Sequence, residues 1–134
     1  MKHTIKATPK ESVGVIRFGM SRDEIRVAVG SAYTEFRKSR FSKNTADDFG
    51  FMHVFYDEKN ACEAVELFDD CVVMVGDDCL MPGEKDRVDE WMKAQDASSE
   101  VSAYDSISKA LSIGVTASEG KVESILFGRI GYYD

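Results

Sequence analysis

Apolar residues recur at helical spacing in two stretches of the chain. The first, SRDEIRVAVG, spans residues 21–30. Ser21 and Glu24 have the spacing of a capping box, apolar residues recur from Ile25 onward, and Gly30 is a typical helix stop. This pattern predicts a short helix with one apolar stripe.

The second helical pattern is EKDRVDEWMKAQ, which follows the turn residues Pro82 and Gly83. Val88, Trp91 and Met92 lie on one face of a helix at this spacing, and charged residues occupy the opposite face. We therefore predict a second amphipathic helix here.

Other stretches are rich in β-branched and aromatic residues and are bounded by turn residues, which is typical of strands. Two pairs of such runs, each separated by a polar turn, predict β-hairpins, and CVVMV predicts a third, central strand. The predicted strands are VGVIRF, GFMHVFY with ACEAVELF, CVVMV, and ALSIGVTA with KVESILFG.

A helix followed by a gap and a hairpin occurs twice, and the tails EAVELF and KVESILF are alike. This order predicts a single α+β domain over residues 1–134: an antiparallel sheet with helices on one face, and a diverged tandem α-β-β repeat as its plan. The other face would be open to water or to a partner. The predicted core is Ile25, Val29, Val65, Leu67, Val73, Val88, Trp91, Met92 and Ile125.

Composition narrows the class of protein. The 134 residues are 43% hydrophobic and 31% charged, as expected of a folded domain. No apolar run approaches the ~20 residues of a membrane-spanning helix. The N-terminus also lacks the apolar centre of a secretion signal, so we expect a cytoplasmic protein that does not contact a membrane.

The net charge of −7 is unevenly distributed. Residues 1–43 carry ten Lys/Arg against four Asp/Glu, whereas residues 44–134 carry seven against twenty. Such an acidic block repels nucleic acid and attracts basic surfaces. The basic first third could contact nucleic acid, but we interpret its stretch RVAVGSAYTEFRKSRFSK, residues 26–43, as the solvated side of local structure, and we expect no nucleic-acid partner.

No catalytic or cofactor motif is present: GxSxG, HExxH, the P-loop and GxGxxG are all missing. His53 shares its predicted strand face with Phe51 and Phe55, which favours a structural histidine over a general base. The three cysteines have no CxxC spacing and no nearby histidine, so we predict reduced thiols, no metal and no cofactor.

The segment FDDCVVMVGDDC, residues 68–79, brackets one predicted strand with acidic pairs. We predict that this acidic surface binds a basic protein, with the terminal tyrosines as aromatic anchors. The alternative is a rim that only confers solubility. The predicted partner-binding residues are Asp57, Glu58, Asp69, Asp70, Asp77, Asp78, Tyr132 and Tyr133.

The stretch IRFGMSRDEIRVAVG, residues 16–30, resembles the GMSxxEV(x)nG opening of small bacterial α+β modules. Such modules occur in the beta-lactamase inhibitor protein and in outer-membrane assembly lipoproteins. The resemblance implies helix-and-hairpin units that display a sheet to a protein partner. Without the secretion signal of those families, it does not extend to a periplasmic or inhibitor role.

In size and acidity the chain also resembles the immunity proteins that neutralise bacterial toxins, many of which are basic nucleases. The resulting hypothesis is a non-enzymatic immunity protein that binds a basic toxin domain. The alternatives are an orphan structural or regulatory domain of the same fold and a small enzyme that uses His53. A homodimer through an exposed hairpin edge is a further alternative.

Overall fold

The computed structural model describes residues 2–42, 44–68 and 70–134. These residues form thirteen strands and two helices. The helices are α1 (Arg22–Val29) and α2 (Lys85–Gln95). The strands are β1 (His3–Thr8), β2 (Ser12–Val13), β3 (Ile16–Arg17), β4 (Thr34–Phe36), β5 (Ala46–Asp48), β6 (Met52–Tyr56), β7 (Cys62–Phe68), β8 (Cys71–Val75), β9 (Asp78–Met81), β10 (Glu100–Val101), β11 (Asp105–Ser108), β12 (Ile113–Ser118) and β13 (Lys121–Gly128).

The predicted α+β class, one antiparallel sheet with helices on one face, is wrong. The chain is mostly β and forms two sheets, one of five strands and one of eight. Segments without a clear hydrophobic period became strands because they pair with stronger neighbours. For example, β4 and β10 are only three and two residues long and lie at the two edges of the larger sheet.

The five-stranded sheet has the order β3-β2-β1-β8-β9. Its β1 runs parallel to β8, with Ile5 opposite Val73. The run CVVMV is a strand, as predicted, but it pairs within the five-stranded sheet and not with the two predicted hairpins. Parallel pairing needs a long crossover connection, so the sequence around β8 alone did not indicate its partner.

The eight-stranded sheet has the order β10-β11-β12-β13-β7-β6-β5-β4. The two predicted hairpins, β6–β7 and β12–β13, are confirmed, and they meet through antiparallel pairing of β7 with β13. Four strands of this sheet follow α1 (β4–β7) and four follow α2 (β10–β13), so the predicted α-β-β unit was too short. Both predicted hairpins lie inside the sheet, whose edge strands are β4 and β10. Neither hairpin therefore offers the exposed edge through which a homodimer was considered.

The main hydrophobic core includes residues from both sheets and both helices. A second, small cluster on the other face of the eight-stranded sheet consists of Ala46, Phe55 and Ala64, with Phe36, Leu126 and Tyr132 packed against them. Seven of the nine predicted core residues are buried in the main core, and Val29 and Trp91 pack against it partly exposed. Both predicted helices are confirmed, and α1 has the capping box of Ser21 and Glu24 and a left-handed Gly30. Neither described helix has the length and apolar character needed to cross a membrane.

A buried ion network connects α1 to the larger sheet. Asp47 of β5 is fully buried and accepts hydrogen bonds from Arg22 and Arg26, which lie one helical turn apart. The hydroxyl of Tyr56 donates to the same carboxylate at 2.9 Å. Because all acceptor positions of Asp47 face donors, its burial is compensated and α1 is fixed over β5 and β6.

A second network connects α2 to the other half of the sheet. Lys85 is 3% exposed, and its ammonium group donates to Asp89 at 2.6 Å and to Ser106 of β11 at 2.9 Å. Ser106 in turn donates to Asp89. Each helix is thus fixed to the sheet by buried polar contacts as well as by apolar packing.

Candidate functional site

The face of the eight-stranded sheet that points away from the core is called the outer face here. Strand register defines it, because side chains alternate between the two faces. His53 lies opposite Glu66, and Glu66 lies opposite Leu126, so these residues share the outer face. The other outward positions used below are Phe36, Asp48, Phe55, Phe68, Glu100, Asp105, Gly114, Thr116, Ser124 and Gly128.

A row of polar side chains crosses five adjacent strands of the outer face. The imidazole of His53 lies 3.6 Å from Asp48 and 4.0 Å from Glu66. Glu66 accepts a hydrogen bond from Ser124 at 3.2 Å, and the Ser124 and Thr116 hydroxyls are 2.6 Å apart. The row therefore presents two partly exposed carboxylates on either side of a histidine.

Aromatic rings enclose the histidine of this row. The His53 ring centroid is 4.5 Å from that of Phe36, 4.6 Å from that of Phe68 and 6.3 Å from that of Phe55. The prediction that His53 shares a face with Phe55 is confirmed. Phe51, in contrast, packs against the inner core and stacks on His3 at 3.9 Å.

The described polar contacts of His53 are to carboxylates. The Ser124 hydroxyl donates to Glu66, and no described hydroxyl or thiol hydrogen-bonds to His53. Nucleophilic catalysis needs a nucleophile within hydrogen-bond reach of its base. A carboxylate pair with aromatic neighbours is suited instead to contact with a cationic or mixed surface.

The terminal tyrosines cover part of the outer face at glycine positions. A Cβ at Gly128 would lie 2.6 Å from the Cβ of Tyr132, and a Cβ at Gly114 would clash with the Tyr133 hydroxyl. Burial raises the pKa of Tyr133 above its ordinary value. Glycines inside strands often mark such close approaches. The sequence contained this signal at Gly114 and Gly128, but it was not used to predict where the tyrosines pack.

A cleft of about 560 Å³ adjoins the outer face where β5, β6 and β7 end. Described residues of the β4–β5 loop form one wall, and the β6–β7 turn with Arg129 forms the other. Its described lining residues are Lys38, Ser42, Asn44, Thr45, Ala46, Phe55, Tyr56, Asp57, Glu58, Lys59, Glu63 and Arg129. Two predicted binding residues, Asp57 and Glu58, therefore line this cleft.

Asp57 has a structural role in the turn. One of its oxygens accepts from the backbone amides of Lys59 and Ala61, and the other accepts from Arg129 at 2.8 Å. The hydrogen bond from Arg129, with those from the two amides, holds the pKa of the Asp57 carboxyl below its usual range. Much of its charge is therefore already compensated within the chain.

The remaining described acidic residues of the prediction bracket β8, which belongs to the five-stranded sheet. Asp70 precedes β8, and Asp77 and Asp78 follow it, so the two groups are about 17 Å apart along five strand residues. Asp78 accepts a hydrogen bond from the Trp91 indole at 3.0 Å. The prediction for Asp69 lies outside the described residues.

The cysteines are distributed over both sheets. All three are among the described residues, and none forms a disulfide. Burial raises the pKa of the Cys62 thiol to about 12, which makes it unreactive at neutral pH. Within the described part of the chain, no group of three or more His, Cys, Asp or Glu residues is arranged to hold a metal ion.

Comparisons with known proteins found no relative of this chain. No family model matches the chain, and no curated protein or solved structure is significantly similar to it.

Proposed function

We propose that this chain is a non-enzymatic binding protein whose partner is a basic protein, most specifically a nuclease-type toxin domain that it neutralises in the cytoplasm as an immunity protein. The outer face of the eight-stranded sheet is the proposed contact surface. The Asp57–Glu58 turn adjoins it, and Tyr132 and Tyr133 lie on it.

The observation that carries the proposal is the combination of carboxylates and aromatic rings on a face that neither helix covers. The buried residues of both helices belong to the core on the inner face. Outward positions from β10 to β5 supply the carboxylates of Glu100, Asp105, Glu66 and Asp48. Aromatic side chains give rigid contact area, and surrounding charges accelerate encounter with an oppositely charged partner.

The net charge of −7 supports the same partner class. An acidic protein attracts basic surfaces over a distance of about a Debye length, roughly 8 Å at physiological salt. Toxin nucleases need basic surfaces to bind phosphates, so an acidic sheet face can compete for that surface.

The experiment requires a defined partner. The chain is coexpressed with the protein encoded by the adjacent gene, and cell survival and complex formation are measured, followed by calorimetric titration of the purified pair. A basic partner bound in a 1:1 complex, with affinity that falls as salt rises, is expected. The proposal would be contradicted if the chain did not bind a basic protein encoded by the adjacent gene. An unrelated enzymatic activity of the chain would also contradict it.

Two matched double variants locate the contact surface. Asp48→Asn/Glu66→Gln removes two charges from the outer face, and Asp77→Asn/Asp78→Asn removes two from the other sheet. Because desolvated charges at an interface control dissociation, the first pair is expected to weaken binding roughly tenfold or more. The second pair is expected to change affinity much less. The reverse result would move the contact surface to the turn between β8 and β9.

A further inference from the structure

The ammonium group of Lys38 is fixed in the cleft by neutral aromatic groups. It donates to the Tyr132 hydroxyl at 3.0 Å and lies 4.7 Å from the centroid of the Phe55 ring. The Tyr132 ring lies 5.7 Å from the same nitrogen. No carboxylate among the described residues pairs with it. Lys38 is thus an exposed cation whose contacts among the described residues are aromatic groups and not carboxylates.

The other charges of the cleft are largely engaged with one another. Arg129 donates to Asp57 at 2.8 Å and to Glu63 at 3.5 Å. The Asn44 amide hydrogen-bonds to the backbone carbonyl of Asp57 and links the two walls. Glu58 is exposed at the rim of the cleft and has an interaction partner. Lys59 also lines the cleft and is exposed, so Lys38 is distinguished by its described contacts to Phe55 and Tyr132.

We propose that this cleft binds a small organic anion, with a carboxylate or phosphate group paired to Lys38. Its volume lies within the range of small-molecule sites, roughly 300–1,000 Å³. A charge-assisted hydrogen bond from a pre-positioned ammonium group is stronger than one between neutral groups. The cleft is also lined by Ala46 and Phe55, which are 3% and 6% exposed, and by Ser42, whose hydroxyl accepts a hydrogen bond from the Ser39 amide. This site requires no protein partner and is independent of the proposed function.

The test is a titration of the full chain, followed by two-dimensional amide NMR. The probes are phenyl phosphate and benzoate, with neutral benzamide and cationic benzylamine as controls. Saturable shifts confined to the cleft are expected for at least one anion, with a dissociation constant of about millimolar for molecules of this size. Comparison of the two anions decides between phosphate and carboxylate as the preferred group.

A charge-neutral variant separates the role of Lys38 from general attraction. Lys38→Gln is expected to weaken binding of the preferred anion roughly tenfold, because a charge-assisted contact is lost. Lys38→Arg keeps the charge and is expected to retain measurable binding. Lys93→Gln removes the same charge from the exposed side of α2, outside the cleft, and is expected to leave binding unchanged.

Three results would overturn the proposal. The first is the absence of saturable amide shifts with either anion at a concentration about 20-fold above a dissociation constant of about 1 mM. The second is equal or tighter binding of benzamide or benzylamine, which would assign the cleft to neutral or cationic ligands. The third is unchanged anion binding by Lys38→Gln, with thermal melting verifying that the variant is folded.

Discussion

Replacement of Asp47 by alanine tests whether the buried ion network is a main attachment of α1. Asp47 is 0% exposed and lies within 2.7 Å of a guanidinium nitrogen of Arg26 and 3.1 Å of one of Arg22. Tyr56 donates to it at 2.9 Å. The alanine variant would leave two partly buried cations and a buried hydroxyl without their common acceptor.

The magnitude follows from the state of the groups that remain. Removing one partner of a buried ion pair typically costs about 3–5 kcal/mol, because an uncompensated charge is left behind. Arg22 and Arg26 side chains are only 12% and 20% exposed, so water restores part of their solvation at most. We expect Asp47→Ala to lower the free energy of unfolding by about 3–5 kcal/mol, a large share of the ~5–15 kcal/mol of a typical domain.

The assay is urea denaturation at pH 7, followed by circular dichroism. Glu35→Ala is the matched control, because Glu35 contacts the same two arginines but is 53% exposed. Exposed ion pairs contribute about 0–1 kcal/mol, so the control is expected to change stability by no more than that. Equal losses for the two variants, or a loss below about 1 kcal/mol for Asp47→Ala, would refute the reasoning.

Three further outcomes are expected. A thiol reagent at pH 8 should modify the partly exposed Cys79 before Cys62, whose burial raises its pKa to about 12; prior modification of Cys62 in peptide mapping would contradict this. The folded pKa of Asp57 is lowered, so its stabilisation is present above its unfolded pKa of about 3.9 and lost as pH falls through the folded value. Asp57→Asn should therefore be less stable than wild type at pH 7, and the difference in urea-derived unfolding free energy should shrink in acid; an undiminished difference at low pH would argue against the ion pair. Gly128→Ala should displace Tyr132 and lower stability by about 1–3 kcal/mol, since the new Cβ lies 2.6 Å from the Tyr132 Cβ, and an unchanged midpoint would show that the turn shifts freely.

Local sequence signals were sufficient for the two helices and the two hairpins. The capping box of Ser21 and Glu24, the stop at Gly30 and the stripe that includes Val88 act within a few residues. Their physical basis is backbone hydrogen bonding and one-sided burial, which a short window of sequence contains. For the same reason, seven of the nine predicted core residues are buried.

The candidate site was predicted less well, because it depends on which strands become neighbours. Tyr132 and Tyr133 were predicted as aromatic anchors, but their packing against Gly128 and Gly114 was not predicted. Asp48 and Glu66 flank His53 because β5, β6 and β7 are paired in one register. The cation–aromatic contact of Lys38 joins residues 94 positions apart in the chain.

The sequence by itself determined the helices, the hairpins, most of the core and the acidic charge of this protein. Tertiary structure decided the class of fold, because β8 pairs with the N-terminal strand β1 and so creates a second sheet. It also placed Asp70, Asp77 and Asp78 around a strand of the five-stranded sheet, whereas Tyr132 and Tyr133 pack on glycines of the eight-stranded sheet. The reason is that strand pairing is non-local: a strand's hydrogen-bonding edges are satisfied equally well by any partner of suitable register, and the choice depends on how the whole chain buries its apolar faces.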